Sequence, residues 1–566
     1  MALADTGFGA APRQRLSGDD WAARALIVAY GVWLAIGLVL PLYALLSKSF
    51  EDADGNFIGF ANYLQYFATP ALASSLQNSL FVASFSTIVS LSLAFPFAYA
   101  LTRSAMPGKQ IFKAIALIPL LAPSLLPAIS LRYLFGNQGP LNWMLAGNSI
   151  FGPIGIVMGE IFYTFPHALL IIVTALSTAD TRLYEAAISL RASGSRVFFT
   201  VTLPGARYGI VSAAVVVFTQ VITDFGIPKI TGGHFNVLAT DIYKQVAGQA
   251  NFSMGAVVGV ILLGPAIIGF AIDRIVQHRQ TAMLTSRAVP FAPKPHRRFD
   301  ALMFAYCSVV CFVILVILAV AVFASLIRYW PYNLELTLDH YDFDRVDERG
   351  WGAYTNSLKM ALWTMLFGTI LAFSGAYLVT KTTGFAVGRG LVHLLSMVPL
   401  SVPGLVLGLS YIFFFIEPEN PLNGLYRTMA ILVISTIVHF YTVSYLIAVT
   451  ALKQMDEEFE AISSSLKVPF YRTLWRVTVP VCLPAILDIS IYFFVNAMTT
   501  ASAVVFLYAT DTMPASVSIL NQDETGAIAS AAAMGVMIVL TSATVRLVHW
   551  FLVRNVLSRT QAWRLR

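Results

Sequence analysis

The sequence predicts an all-α membrane protein with about twelve transmembrane helices, arranged as two six-helix repeats of the same orientation. Three observations carry this prediction. The 566-residue chain is 57% hydrophobic and only 11% charged, whereas a soluble domain carries about a quarter charged residues. Its apolar runs are long enough for the roughly 20 residues that cross a bilayer as a helix. A polar segment between two of these runs recurs in the second half of the chain.

The apolar runs divide evenly between the two halves. The predicted spans are 25–47, 77–102, 112–135, 153–177, 208–227 and 253–275, followed by 301–326, 356–380, 391–416, 428–452, 484–508 and 527–552. The N-terminal residues have no apolar core and no cleavage site, so the first run is predicted to be a retained span.

Charge in the loops sets the expected orientation. Basic residues cluster between spans two and three, between spans four and five, between the halves and at the C-terminus, while three of the alternate loops are acidic. The positive-inside rule therefore places both termini in the cytoplasm, with the chain crossing the membrane many times. The same loops account for the net charge of +7, so nucleic-acid binding is not expected.

This orientation gives a domain plan of two halves with cytoplasmic connections. The predicted parts are a cytoplasmic tail over 1–24, a first half over 25–275, a cytoplasmic linker over 276–300, a second half over 301–553 and a basic cytoplasmic tail over 554–566.

The recurring polar segment runs over 180–204 and again over 456–480. Its two ends match at one offset, since Pro204 pairs with Pro480 and 480 − 204 = 276. Outside the segment, Asn78-Ser79-Leu80 recurs as Asn356-Ser357-Leu358. Repeats of one orientation are related by a pseudo-two-fold axis along the membrane normal, so the transport path is expected between the halves.

Each copy of the segment predicts a helix–turn–helix that protrudes into the cytoplasm. In the first copy, LYEAAISL favours a short helix with Arg191 after its first turns. Gly194 permits a break, and Pro204 ends the second amphipathic stretch just before span five. Two such protrusions about a two-fold axis can dock onto two identical partner subunits.

This segment resembles the EAA loop of permease subunits from binding-protein-dependent ABC importers. In the first copy, Arg191 stands where that family usually has glycine. In the second copy, Glu460 falls one residue early, so that Ala461 takes the position of Glu185, and Lys467 replaces the glycine. The residues assigned to ATPase coupling on this resemblance are Glu185, Ala186, Ala187, Gly194, Pro204, Glu460, Ala461, Pro469 and Pro480.

The resemblance implies the fold of a type I ABC importer permease in the inner membrane of a bacterium, and a transport subunit that is not an enzyme. It further implies two copies of a cytoplasmic ABC ATPase, which carry the ATP and Mg²⁺, and a periplasmic or extracellular substrate-binding protein. The sequence agrees, because it has no GxxxxGK[ST] phosphate loop and its nearest stretch, 107–110, lacks the Ser/Thr. No cofactor or metal site is expected in this chain, and membrane lipid surrounds it.

Polar residues inside the spans are candidates for the transport path. The candidates are Arg132, Glu160, Asp224, Thr499 and Thr500. The alternatives are that Arg132 extends to the outer membrane interface, and that Glu160 and Asp224 form interhelical bonds. His167 and His439 are expected to be packed, hydrogen-bonded residues rather than ligands.

The stretch over 221–255, which starts at the end of span five, bears on the substrate. It resembles fused permeases for 2-aminoethylphosphonate uptake, which is the first expectation. Fused ferric-iron permeases are the alternative, because they are similar in the Asp-Phe-Gly at 224–226. An alternative of another class is an ion-coupled secondary transporter with Glu160 and Asp224 as proton or sodium sites. Such a transporter does not need the duplicated cytoplasmic segment.

Overall fold

The computed structural model describes residues 18–177, 181–281, 293, 295–346, 350–456 and 458–560. Most of the predicted N-terminal tail, Asp180, most of the predicted linker and the end of the C-terminal tail lie outside the described residues. Among the described residues, nine helices are long and apolar enough to cross a membrane, and the number rises to twelve if each of three bent helix pairs is one span. The predicted all-helical membrane fold is confirmed.

The first half consists of helices alone among its described elements. They are α1 (Gly18–Lys48), α2 (Ala61–Ala68), α3 (Pro70–Arg103), α4 (Lys109–Leu121), α5 (Leu125–Phe135), α6 (Pro153–Ser177), α7 (Thr181–Ser189), α8 (Gly194–Thr223), α9 (Gly226–Thr231), α10 (Leu238–Tyr243) and α11 (Phe252–Thr281).

The second half repeats the order of the long helices, with α18 and α19 in place of α8, and adds an antiparallel hairpin after its first helix. Its elements are α12 (Arg297–Leu326), β1 (Ile327–Tyr329), β2 (Asn333–Leu336), α13 (Gly350–Lys381), α14 (Ala386–Ser401), α15 (Gly404–Phe415), α16 (Met429–Lys453), α17 (Glu458–Ser465), α18 (Phe470–Val481), α19 (Leu483–Thr499), α20 (Ala515–Glu524) and α21 (Ile528–Thr560).

The third span of each half is bent rather than straight. Helices α4 and α5 meet at 102°, and α14 and α15 meet at 113°. Pro123 and Pro403 lie at these breaks, where a proline removes a backbone donor and disfavours helix at the residue before it. The predicted spans 112–135 and 391–416 are therefore each a pair of helices.

Two predicted spans end earlier than their hydropathy indicates. The helix predicted over 484–508 stops at Thr499, and the one predicted over 208–227 stops at Thr223. The apolar residues that follow Thr499 are buried as turns between other elements. Apolar residues are favoured in lipid and in a protein core alike, so hydropathy extends both spans beyond their helices.

The first helix of each half packs against the other half. Helix α1 lies against α14 and α15, and α12 lies against α4 and α5. The Tyr411 hydroxyl donates a hydrogen bond to the Gly37 carbonyl across this boundary, at 2.6 Å. The halves are interlocked about the pseudo-two-fold axis, and the boundary between them forms the centre of the molecule.

The recurring Asn-Ser pairs hold the short helices α10 and α20 in place. In the first half, the Ser79 hydroxyl accepts a hydrogen bond of 2.8 Å from the Leu238 N–H, at the start of α10. In the second half, the Ser357 hydroxyl accepts one of 2.7 Å from the Ala515 N–H, at the start of α20. The preceding asparagine of each pair donates to carbonyls just before these helices. The repeated tripeptide therefore satisfies helix N-termini that the sequence did not predict.

We expect Ser79→Ala and Ser357→Ala each to destabilise the protein by about 1–3 kcal/mol, because each leaves a buried N–H without its acceptor. Thermal unfolding of the purified protein measures this effect. The control is Ser74→Ala, which removes an exposed hydroxyl that bonds only within its own helix. Equal melting temperatures for Ser79→Ala and Ser74→Ala would contradict the assigned role.

Candidate functional site

The first copy of the repeated segment presents its motif residues to solvent. Glu185 and Ala186 on α7 are exposed, and Ala187 is half-buried. Leu183 on the same helix and Leu190 just after it are 59% and 82% exposed. An exposed carboxylate flanked by exposed leucines is a surface suited to a protein partner rather than to water alone.

The second segment presents a different face. Ala461 is exposed, but the Glu460 carboxylate lies 3.1 Å from the Lys381 ammonium at the end of α13. Glu460 corresponds in position to Tyr184, because 460 − 184 = 276. Its one-residue displacement turns the acid about 100° around the helix, toward the membrane domain. The exposed acid of the first segment therefore has Ala461 as its counterpart.

The break in each segment falls where the EAA pattern has glycine. Arg191 and Lys467 both adopt φ of +53°, in the left-handed region that favours glycine. Each ends its helix with a main-chain bond back to the helix, from Ala192 N–H and Val468 N–H respectively. Gly194 instead begins α8, so the break that the sequence assigns to Gly194 occurs at Arg191. Pro469 immediately precedes α18, whereas Pro480 lies near the end of that helix. Pro204 lies within the continuous helix α8, so the prediction that it ends the second amphipathic stretch is wrong.

A cavity of about 530 Å³ lies between the two halves. Its polar lining is similar in the two halves. Gln220 and Thr223 on α8 correspond to Asn496 and Thr499 on α19 at an offset of 276. The next residue breaks the symmetry, with Asp224 on one wall and Thr500 on the other. Three of the five path candidates therefore line this cavity, namely Asp224, Thr499 and Thr500.

Asp224 is held in place at the start of α9. Its carboxylate accepts a 2.9 Å hydrogen bond from the Ile227 N–H. Glu160 is fully buried and lies behind Asp224, outside the cavity lining. One wall of the cavity therefore carries a carboxylate backed by a second one.

The charge of this lining is acidic. Asp224 and Asp273 are its carboxylates, and among the described residues that line the cavity there is no lysine or arginine. Asp273 accepts a 2.6 Å hydrogen bond from Ser212. His167 and His439 also line the cavity. Gln220, Asn496 and Asp273 are not among the path residues that the sequence predicts, although the 276-residue offset could have revealed the first two as a pair.

The cavity is bounded at each helix break by one serine and one glycine. In the first half the Ser124 hydroxyl faces Gly226, and in the second half the Ser502 hydroxyl faces Gly404. A Cβ atom at Gly226 would come within 2.3 Å of the Ser124 hydroxyl, and one at Gly404 within 2.5 Å of the Ser502 hydroxyl. Each contact needs glycine as one of its two residues. In the first half the serine lies at the break of the third span and the glycine follows α8. In the second half the glycine lies at the break of the third span and the serine follows α19.

Arg132 lies at the end of the helices opposite the two repeated segments, here called the outer face, rather than in the central cavity. Its guanidinium pairs with Asp523 on α20 at 2.8 Å, and the neighbouring Lys229 on α9 pairs with Glu524 at 2.7 Å. Burial raises the pKa of the Asp523 carboxyl above its ordinary value, and the Arg132 guanidinium opposes that rise. These two pairs join the first half to the second at the outer side. Arg132 also lines a separate outer cavity of about 620 Å³.

The described residues contain no group of three or more His, Cys, Asp or Glu side chains that could hold a metal ion. The central cavity is thus a polar, acidic passage without a chelating cluster in the part of the chain that the structure describes. The cysteines Cys307, Cys311 and Cys482 are free and buried.

Two interlocked helical halves, a cavity between them and a helix–turn–helix repeated in each half together define a membrane-spanning transport subunit. The chain belongs to the family of binding-protein-dependent transport system inner membrane components, whose sequence model matches residues 90–282 and again 365–558. It is therefore a fused permease subunit of an ABC importer, a multi-pass inner membrane protein and a transport component rather than an enzyme.

Curated relatives cover most of the chain. The ferric transport system permease protein FbpB of Actinobacillus pleuropneumoniae is 26% identical over 576 residues, which covers 98% of this chain and 82% of that protein. The putative ferric transport system permease protein FbpB 1 of Haemophilus influenzae is 26% identical and covers 84% of this chain and 76% of that protein. The spermidine/putrescine transport system permease protein PotB of the same organism is 26% identical over 40% of this chain and 84% of its own length.

A solved structure of a bacterial alginate ABC transporter, in complex with an alginate pentasaccharide-bound periplasmic protein, is similar over one half. The match covers 48% of this chain and 97% of that chain, at 17% identity and a TM-score of 0.40.

Proposed function

We propose that this permease moves ferric iron inward by alternating access, as a hydrated or chelated ion, with energy from separate ATPase subunits. The observation that carries the proposal is the acidic central cavity, in which Asp224 and Asp273 meet the solute without any lysine or arginine among the described lining residues. Such a cavity favours a cation and disfavours an anion of the same size. The names of the ferric relatives that match most of the chain support the same choice.

The first expectation from the sequence, 2-aminoethylphosphonate, is supported less well. A phosphonate group needs a cationic or N–H-rich partner, and Arg132, which could serve as that partner, is paired with Asp523 at the outer face. The two FbpB relatives, which match most of the chain, are named for ferric iron. The ferric alternative is therefore the better-supported substrate.

The partners follow from the two cytoplasmic segments. Helices α7 and α17 would each dock onto one copy of an ABC ATPase, which supplies ATP and Mg²⁺. Exposed apolar side chains at Leu183, Leu190, Ile462 and Leu466 support this docking. The coupling residues are those assigned from the EAA pattern. Glu185 is the exposed acid that would face the ATPase, whereas Glu460 faces Lys381 and not the docking surface. Both termini would lie in the cytoplasm, and a substrate-binding protein would deliver the ion to the outer face.

The test is uptake in proteoliposomes that hold this permease with its ATPase and its substrate-binding protein. We expect ferric uptake only when ATP and both partners are present, and no competition from excess 2-aminoethylphosphonate. Uptake of labelled 2-aminoethylphosphonate in place of iron would overturn the substrate. Uptake driven by a proton or sodium gradient without ATP would instead favour a secondary transporter that uses Glu160 and Asp224.

A further inference from the structure

We propose that Arg103 and Lys381 are positioning residues that fasten the two coupling helices to the membrane domain. Each lies at the cytoplasmic end of the second span of its half, on α3 and α13 respectively. Arg103 contacts Tyr184 on α7, and Lys381 contacts Glu460 on α17. The inference rests on the proposed role of α7 and α17 in ATPase coupling, and it concerns how movement of these helices reaches the spans.

The second half uses an ion pair. The Lys381 ammonium lies 3.1 Å from the Glu460 carboxylate, and the two side chains are only 8% and 23% exposed. One turn earlier on α13, the Tyr377 hydroxyl donates a 3.1 Å hydrogen bond to the Phe470 carbonyl at the start of α18. Helix α13 therefore holds both arms of the second helix–turn–helix.

The first half uses an arginine on an aromatic ring. The Arg103 guanidinium lies 4.7 Å from the centre of the Tyr184 ring. It donates hydrogen bonds to the Tyr184 hydroxyl at 3.1 Å and to the Leu176 carbonyl at 2.8 Å. The Tyr184 hydroxyl in turn donates to the Thr202 hydroxyl at 3.1 Å. This chain of contacts links α3, α6, α7 and α8.

The two fastenings occupy matching places. Lys381 follows Arg103 by 278 residues, and Glu460 follows Tyr184 by 276. The chemistry differs between the halves while the geometry is the same, because a cation at the end of the second span meets the inward face of the coupling helix in both. The contact recurs in both halves although its residues differ. We therefore attribute its role to its place between the second span and the coupling helix, and not to either residue type.

The arrangement also explains why Glu460 stands one residue before the motif position. An acid at 461 would point outward, as Glu185 does, whereas the acid at 460 points at Lys381. In the second half the carboxylate has an internal partner. Movement that an ATPase imposes on α17 would be transmitted to α13 through this nearly buried ion pair. Helix α13 in turn packs against α16 and α19, which line the cavity.

The experiment compares Lys381→Met, Glu460→Gln and the charge exchange K381E/E460K in the full reconstituted transporter. We expect both single variants to copurify with the ATPase and to hydrolyse ATP, but to transport at least about fivefold less solute per ATP hydrolysed. The charge exchange should recover most of the loss. Lys381→Arg, which keeps the charge, should remain close to the wild type.

The matched control is Lys453→Met, which removes an exposed lysine at the end of α16. Uptake per ATP that is unchanged in Lys381→Met, or no recovery in the exchange variant, would overturn the inference. If Glu460→Gln instead lost its ATPase, Glu460 would belong to the docking surface and the inference would also be wrong. Failure of the proposed function is distinct, because the wild type would then show no ATP-driven uptake.

Discussion

Glu185→Lys is expected to abolish ATP-driven uptake while the permease still inserts and folds. Glu185 is the exposed acid of α7, the helix that matches the EAA pattern better, and charge reversal would place a lysine in the proposed docking site. Loss of one partner in a desolvated charge contact costs about 2–5 kcal/mol, so uptake should fall by roughly a hundredfold. Copurification of the ATPase and uptake in proteoliposomes measure the two effects.

The control for this reversal is Glu419→Lys, which makes the same change at an exposed position of the loop between α15 and α16. That loop lies at the opposite end of the helices from α7, so copurification of the ATPase should not change. Normal uptake by Glu185→Lys would remove the coupling role from this residue. Glu185→Ala should also cost more than Ala461→Lys, because the second segment has no acid at the matching position.

Asp224→Asn is expected to lower ferric uptake by at least about tenfold, because the amide keeps the shape of the side chain but removes the charge that faces the solute. The Ile227 N–H would keep an oxygen acceptor in the same place. Basal ATP hydrolysis should remain, since Asp224 lies in the cavity and far from the cytoplasmic segments. Initial rates of ferric uptake at several external concentrations measure the change.

The pseudo-two-fold axis supplies the matched control for this variant. Thr500→Asn places the same amide on the opposite wall of the cavity, and uptake should stay within about twofold of the wild type because no charge is lost. Equal losses in the two variants would mean that crowding rather than charge governs the passage. Wild-type rates in Asp224→Asn would separate this carboxylate from the choice of solute.

Much of the fold could be predicted because membrane spans and repeats produce clear sequence patterns. Twenty-residue apolar runs, basic loops and a fixed offset between landmarks are local properties or simple counts. The repeated segment could be placed on a helix–turn–helix for the same reason. The bends at Pro123 and Pro403 were predictable in kind, but not in their angles of 102° and 113°.

The site was less predictable because its partners are far apart in the chain. Arg132 and Asp523 are separated by 391 residues, and no local pattern identifies one from the other. Likewise, the alignment of the two segments places Glu460 one residue early, but only the packing of α17 near α13 shows that its carboxylate faces inward. Asp224 could be singled out as an ionisable residue in a span, whereas its support from Ile227 depends on a short helix that hydropathy merges into the span.

The ion pairs at the outer face have a consequence for how such a subunit can evolve. In a homodimer every contact across the two-fold axis occurs twice, so an Arg132–Asp523 pair would have to appear on both sides of the outer closure. Here the matching positions hold Ile412 and Val505 in place of Arg132 and Lys229. Fusion of the halves frees each side to change alone. Selection can therefore change the ion pairs on one side of the outer face by single substitutions, whereas in a homodimer each substitution would occur twice.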